Sequence, residues 1–258
     1  MFEYIDFERL KRDTEKFKAE WNSKKPFRYL SFENFFKEDK AEEIYAEYPE
    51  INNGLWDNTT YINQKNKFQK TQFEEGSVVK KAFEELNSPE FLAWLSDVTG
   101  ISELIADDEL FGGGLHQSVK GAFLDVHVDY NIHPKTKLHR MLNTLVYMNK
   151  DWNDEYEGHL ELWDMDKKER IERISPNFNR LAMFETNQIS FHGHPHPLNT
   201  PEGVNRKSLA TYYYTKERSE GLAPEHNTKY VNTNGGKGKI KNIKSGLKAL
   251  IERVGKQD

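Results

Sequence analysis

Two imidazoles and a carboxylate carry the most chemistry in this chain. His127 and Asp129 stand two residues apart, so on a β-strand their side chains leave the same face. Downstream, Ser190-Phe191-His192-Gly193 offers another imidazole, and Arg206-Lys207-Ser208 follows with a fixed cation. Two imidazoles and one carboxylate on one side of a metal leave the opposite positions open, the facial arrangement of non-haem Fe(II) oxygenases. Arg206 would then hold the far carboxylate of a 2-oxoglutarate co-substrate, because a guanidinium is always charged and grips two oxygens at once. Ser208, two residues along, would face the same cavity and donate another hydrogen bond.

The distal imidazole has competitors, since Ser190-Phe-His192-Gly-His194-Pro-His196 offers three. His192 and His194 would share a face if the strand continued. Gly193 and Pro195 predict that it stops, which favours His192. A His-x-Asp pair is weak evidence alone and gains weight from its setting. Leu124 to Tyr130 reads as a strand edge, Arg180 to Phe184 and Ile189 to His192 as short strands around a Thr186-Asn187-Gln188 turn, and Ser208 to Tyr214 as a further strand. Each candidate thus lies where a strand begins or ends, as in sites at a barrel mouth.

The elements around them divide the chain. Residues 4–21 are predicted helical, Phe27 to Phe36 begins as a strand, and Lys37 to Tyr48 is a helix up to Pro49. Asn52-Asn53-Gly54 reads as a turn and Trp56 to Phe73 as one or two edge strands. Val78 to Leu86 and Pro89 to Leu95 are helices separated by an Asn87-Ser88 capping signal. From Phe111 short strands alternate with turns: His139 to Asn149, Gly158 to Asp164, Arg170 to Ser175, Leu181 to Glu185. The expected fold is mainly β, a jelly roll with N-terminal helices packed outside. Residues 1–231 are expected to form a single domain, with a helical and mixed part over 1–110 and the jelly-roll core over 111–216.

Residues 216–258 hold ten Lys or Arg against five acids, whereas the whole chain carries a net charge of −5. Residues 232–258 read as a basic hinge, Asn232 to Gly238, and a C-terminal helix on one face of which Ile240, Ile243, Leu247, Leu250, Ile251 and Val254 fall, expected to cover the barrel or a partner chain. The acidic balance makes nucleic acid no default partner. The absence of cysteine excludes a disulfide scaffold and thiolate-zinc sites. The charged N-terminus lacks a signal core, and nowhere do eighteen apolar residues run together, so no membrane span and a cytoplasmic location are expected.

From Leu115 to Thr215 the chain resembles the 2-oxoglutarate/Fe(II) dioxygenases of the prolyl 4-hydroxylase-like group. The likeness rests on linked pieces: His127-Val-Asp129-Tyr130-Asn131, Arg140-x-Leu-Asn143, Leu145-Val-Tyr147-Met-Asn149 and Trp152. It continues through Gly158-x-Leu-Glu-Leu-Trp163, Pro176-x-x-Asn179-Arg180, Ser190-Phe-His192-Gly193-x-Pro195 and Arg206-Lys-Ser208. The resemblance implies a double-stranded β-helix, Fe(II) on His127, Asp129 and His192, and 2-oxoglutarate on Arg206 with Tyr147 bonding the same carboxylate. It also implies O₂ as oxidant, succinate and CO₂ as co-products, and ascorbate as a reductant. Glu157-Gly158 departs from the Gly-Gly pair of many relatives. The target is expected to be a prolyl residue in a protein or a free amino acid. A cupin-like isomerase, lyase or metal hydrolase would need the triad but not Arg206; a jelly-roll binding module would need neither.

Overall fold

The computed structural model describes residues 2–51, 56–218 and 224–231. The turn at Asn52-Asn53-Gly54 and the basic hinge and C-terminal helix expected over 232–258 lie outside these residues. Helices α1 (Phe7–Arg12) and α2 (Thr14–Ser23) lead into strand β1 (Tyr29–Phe32) and helix α3 (Glu38–Ala46). A hairpin of β2 (Asp57–Tyr61) and β3 (Gln64–Lys70) precedes α4 (Val78–Leu86) and α5 (Pro89–Thr99). The helix starts follow from capping: Asp6 accepts from the Arg9 amide, Ser77 from Lys80 and Ser88 from Phe91, each satisfying an otherwise orphaned N–H. Helix α5 runs past Leu95 to Thr99 because Val98 continues its buried stripe of Phe91, Trp94 and Leu95.

The remaining strands are β4 (Ile105–Ala106), β5 (Gly114–Val128), β6 (His139–Tyr147), β7 (Leu160–Asp164), β8 (Glu169–Ile174), β9 (Arg180–Glu185), β10 (Phe191–His194), β11 (Arg206–Thr215) and β12 (Lys229–Tyr230). They form a nearly closed antiparallel barrel in the order β1-β9-β6-β11-β5-β10-β7-β8. This is a double-stranded β-helix. Strand β5 joins its two faces, pairing through Leu115 to Ser118 with β11 and through Leu124 and His127 with β10. Strand β3 follows the other edge of β5, Lys67 opposite Ser118 and Gln64 opposite Leu124.

Strand periodicity then decides what faces the interior. Along β11, Arg206, Ser208 and Tyr212 line the interior cavity, while Leu209 and Tyr213 join the core under the helices. Along β6, Asn143 and Leu145 line the cavity and Leu142 and Val146 face the helices. The helix side of that core includes Trp21, Phe91 and Leu95, all essentially buried; each such side chain contributes roughly 1.5–3 kcal/mol. A second cluster, with Tyr147, Leu160, Leu162, Ala182 and Phe184, packs between the sheets. Among the described residues no helix is long and apolar enough to cross a membrane.

Candidate active site

A cavity of about 260 Å³ opens between the sheets, walled by β5, β6, β10 and β11 and closed at the side by β3. His127 lies near the end of β5 and Asp129 one residue beyond it, and His192 pairs directly with His127 from β10. Ligand atoms of His127, Asp129 and His192 all lie within 4.8 Å of one another. His127 Nε2 stands 3.4 Å from Asp129 Oδ1, and His192 Nε2 stands 3.5 Å from Asp129 Oδ2.

The imidazoles are oriented by backbone. His127 Nδ1 donates to the Asp125 carbonyl at 2.8 Å, and His192 Nδ1 to that of Ser190 at 3.0 Å. A carbonyl can only accept, so each Nδ1 carries the proton and each Nε2 presents a lone pair to the carboxylate side. Burial, then the neighbouring His127, hold the His192 imidazole down to about 3, so it is neutral as a metal ligand must be.

Asp129 is fixed as firmly. Asn143 Nδ2 donates to its Oδ2 at 2.7 Å and Arg140 Nη2 approaches the same oxygen at 3.1 Å. Arg140 Nε in turn donates to Asn143 Oδ1 at 2.8 Å, and its guanidinium lies 3.5 Å from the centre of the Tyr212 ring. Burial disfavours the charged carboxylate, but Arg140 and then the two imidazoles outweigh it and hold the Asp129 carboxyl well below its ordinary range. Arg140, Asn143 and Tyr212 had no assigned role in the sequence. Arg140 and Asn143 belonged to the recognised series, but their contact with Asp129 depends on how β6 docks beside the end of β5.

Arg206 opens β11 at 7% exposure. Its Nε donates to the Gly158 carbonyl at 2.6 Å and its Nη2 to the Tyr147 hydroxyl at 3.1 Å. A Cβ on Gly158 would stand 2.4 Å from Leu198 and 3.0 Å from Arg206 Cδ, so a glycine is required behind this guanidinium. Among the described residues no carboxylate lies within 4.0 Å of Arg206. Ser208 Oγ is buried in the same wall with no hydrogen-bond partner. A buried cation without an anion and an orphaned hydroxyl fit a carboxylate ligand, since each unpaired buried group is costly.

Strand β10 differs from expectation. It does not stop at Gly193 but continues to His194. Gly193 permits this because a Cβ there would meet the Leu124 carbonyl oxygen at 2.8 Å. A register shift follows, so that His194 pairs with Leu124. His194 therefore also lines the cavity, buried and with Nδ1 unpartnered, but outside the three-residue cluster. His196 is half-exposed and lies 3.7 Å from Glu161.

Residues 113–214 match the sequence profile of the 2OG-Fe(II) oxygenase superfamily. That stretch is similar to the superfamily and contains all of His127, Asp129, His192 and Arg206. Prolyl 3-hydroxylase OGFOD1 of Mus musculus is 27% identical over 137 residues, which is 52% of this chain and 23% of that protein's length. The fold is similar to a prolyl hydroxylase solved with a hypoxia inducible factor oxygen degradation domain peptide fragment from Trichoplax adhaerens (TM-score 0.59, 16% identity, covering 81% of this chain and 91% of that one). It is also similar to a Pseudomonas putida prolyl-4-hydroxylase (TM-score 0.54, 17% identity, covering 77% and 98%). The fold is therefore prolyl hydroxylase-like, and the matched stretch is similar to a superfamily named for Fe(II) and 2-oxoglutarate.

Proposed function

We propose that this chain is a 2-oxoglutarate- and Fe(II)-dependent oxygenase that hydroxylates a C–H bond of a prolyl residue in a protein, or of a free amino acid, with succinate and CO₂ as co-products. His127, Asp129 and His192 would hold Fe(II), and Arg206, Tyr147 and Ser208 the distal carboxylate of 2-oxoglutarate. The carrying observation is that one cavity contains both the cluster within 4.8 Å and a buried Arg206 with no carboxylate within 4.0 Å among the described residues. The prolyl hydroxylase names of the relatives support the target class.

Iron, when bound there with 2-oxoglutarate and O₂, would supply the oxidising power for C–H hydroxylation. The chain's own groups position and exclude. The two imidazoles keep their Nε2 atoms free through backbone bonds, and Arg140 with Asn143 engages Asp129 Oδ2, so that these three side chains would be held ready for the metal. Arg206 is restrained by two neutral acceptors, which leaves further guanidinium N–H groups to the cavity. Leu145, Leu160 and Phe184 supply apolar wall that limits water.

The test is succinate formation from 2-oxoglutarate by the full chain with Fe(II), ascorbate and O₂. A panel of prolyl peptides and free amino acids is then searched by mass for a new hydroxyl group. Metal-dependent turnover that leaves 2-oxoglutarate unconsumed would refute the reading in favour of a hydrolase or isomerase.

A further inference from the structure

The β2–β3 hairpin supplies a wall that the oxygenase chemistry has not used. Tyr61, Gln64, Lys67 and Gln69 all line the cavity, and Tyr61 joins its hydroxyl to that of Tyr230 on β12 across from His127. Lys67 stands in a row with Ser118 and Arg206 across three neighbouring strands, and all three line the same cavity.

The charges around this space do not balance. Lys67, Arg140 and Arg206 are the cations lining it, and Asp129 is the carboxylate. Arg140 answers Asp129 at 3.1 Å. Arg206 is taken by the distal carboxylate of 2-oxoglutarate in the reading above, on which this inference rests. Lys67 is left over: among the described residues no carboxylate lies within 4.0 Å of its ammonium and no group hydrogen-bonds it. Its pKa is pushed down to about 8 by burial, with Asp129 opposing and Arg206 and Arg140 adding to the fall. A lysine on a strand ordinarily points to water or protects a sheet edge. This one is only partly exposed, faces the cavity, and sits on a strand paired along both edges, to β2 and to β5.

We propose that Lys67 is a specificity-determining residue whose ammonium receives a carboxylate of the prime substrate. A half-buried ammonium facing the cavity without an anion is costly, and a ligand carboxylate removes that cost. Gln69 lines the same space, its amide donating to the Gly113 carbonyl at 2.8 Å. The carboxylate can come from two sources: the α-carboxylate of a free amino acid or chain end, or an Asp or Glu side chain beside the target residue in a peptide.

The experiment needs no turnover. The full chain is loaded with Zn(II) in place of iron and with 2-oxoglutarate, and binding is read by saturation-transfer NMR. The probes are paired as acid and amide: L-proline against L-prolinamide, and acetylated peptide amides carrying Pro-Asp against the same peptides with Pro-Asn. At least one acid should bind about tenfold or more tightly than its amide, the ratio expected for a hydrogen bond to a charged partner. The pair that discriminates identifies the source. Lys67→Met should erase the ratio and Lys67→Arg restore much of it, with 2-oxoglutarate affinity unchanged in both. Acids and amides that bind alike, or alike fail to bind, would overturn the proposal, and this comparison needs only the wild-type protein. A Lys67→Met protein that loses 2-oxoglutarate affinity would equally overturn it, by moving Lys67 into the co-substrate site. Failure of the iron enzyme to form succinate would instead refute the oxygenase reading, because the binding ratios are measured independently.

Discussion

Replacing Arg206 is the sharpest perturbation of the proposed co-substrate pocket. The guanidinium has five N–H donors, and two are engaged, by the Gly158 carbonyl and the Tyr147 hydroxyl. The remaining donors are free to meet two carboxylate oxygens at once. Truncating one partner of a buried charge-assisted pair costs about 2–5 kcal/mol, or roughly 30-fold to a few thousand-fold in affinity. Tyr147 and Ser208 remain in the Ala variant and water enters the vacated space, so the lower half of that range is expected: on the order of a hundredfold. Arg206→Lys should recover only part, since an ammonium keeps the charge but loses the fork geometry and the bond from Nε to Gly158. The assay is 2-oxoglutarate affinity of the Zn(II)-loaded protein, together with the apparent KM for succinate formation by the iron enzyme. Metal affinity should be unchanged, because Arg206 is not among the three clustered candidate ligands. An unaltered 2-oxoglutarate affinity in Arg206→Ala would refute the reasoning, and the uncompensated cation would then serve some other anion.

Other outcomes follow from the same geometry. His127→Ala, Asp129→Ala and His192→Ala should each abolish succinate formation and tight metal binding while far-ultraviolet circular dichroism stays native. His194→Ala should retain the metal, and the opposite pattern for His192 and His194 would reassign the distal ligand. Arg140→Met leaves Asn143 alone on Asp129 Oδ2 and should weaken metal binding about 10–100-fold in a competition titration. Arg140 lowers the Asp129 pKa, so without it protons compete sooner and metal release on acidification should begin at a higher pH; an unshifted release curve counts against this role. Glu157→Gly should stabilise the fold. Glu157 sits at φ 59°, ψ −151°, a region costing non-glycine residues on the order of 1–3 kcal/mol, while its partly exposed Arg173 pair contributes about 0–1 kcal/mol. Calorimetry should show a Tm higher by a few degrees, and a lower Tm would contradict the strain argument.

Much of the barrel was legible in the chain because strand periodicity is local. Arg206, Ser208 and Tyr212 fall on one face of β11 and Leu209 and Tyr213 on the other by alternation alone. The same rule put His127 and Asp129 on a common side, and Ser88 before Phe91 marked a helix start that the cap bond explains. What pairing decides was out of reach. Glycine at 193 reads locally as a strand stop, yet it lets β10 pass close over β5 and carries His194 into the cavity. The Asp129–Arg140–Asn143 contacts join the end of β5 to β6, and nothing in either segment announces them. Lys67 was hidden twice over: a register shift between Lys65 and Lys67 breaks the period of two on β3, and its significance depends on Ser118 and Arg206 lying beside it. The sequence by itself determined which residues share a face, because that depends on neighbours along the backbone. Which faces meet, and which charge is left without a partner, was decided only when distant strands took their register.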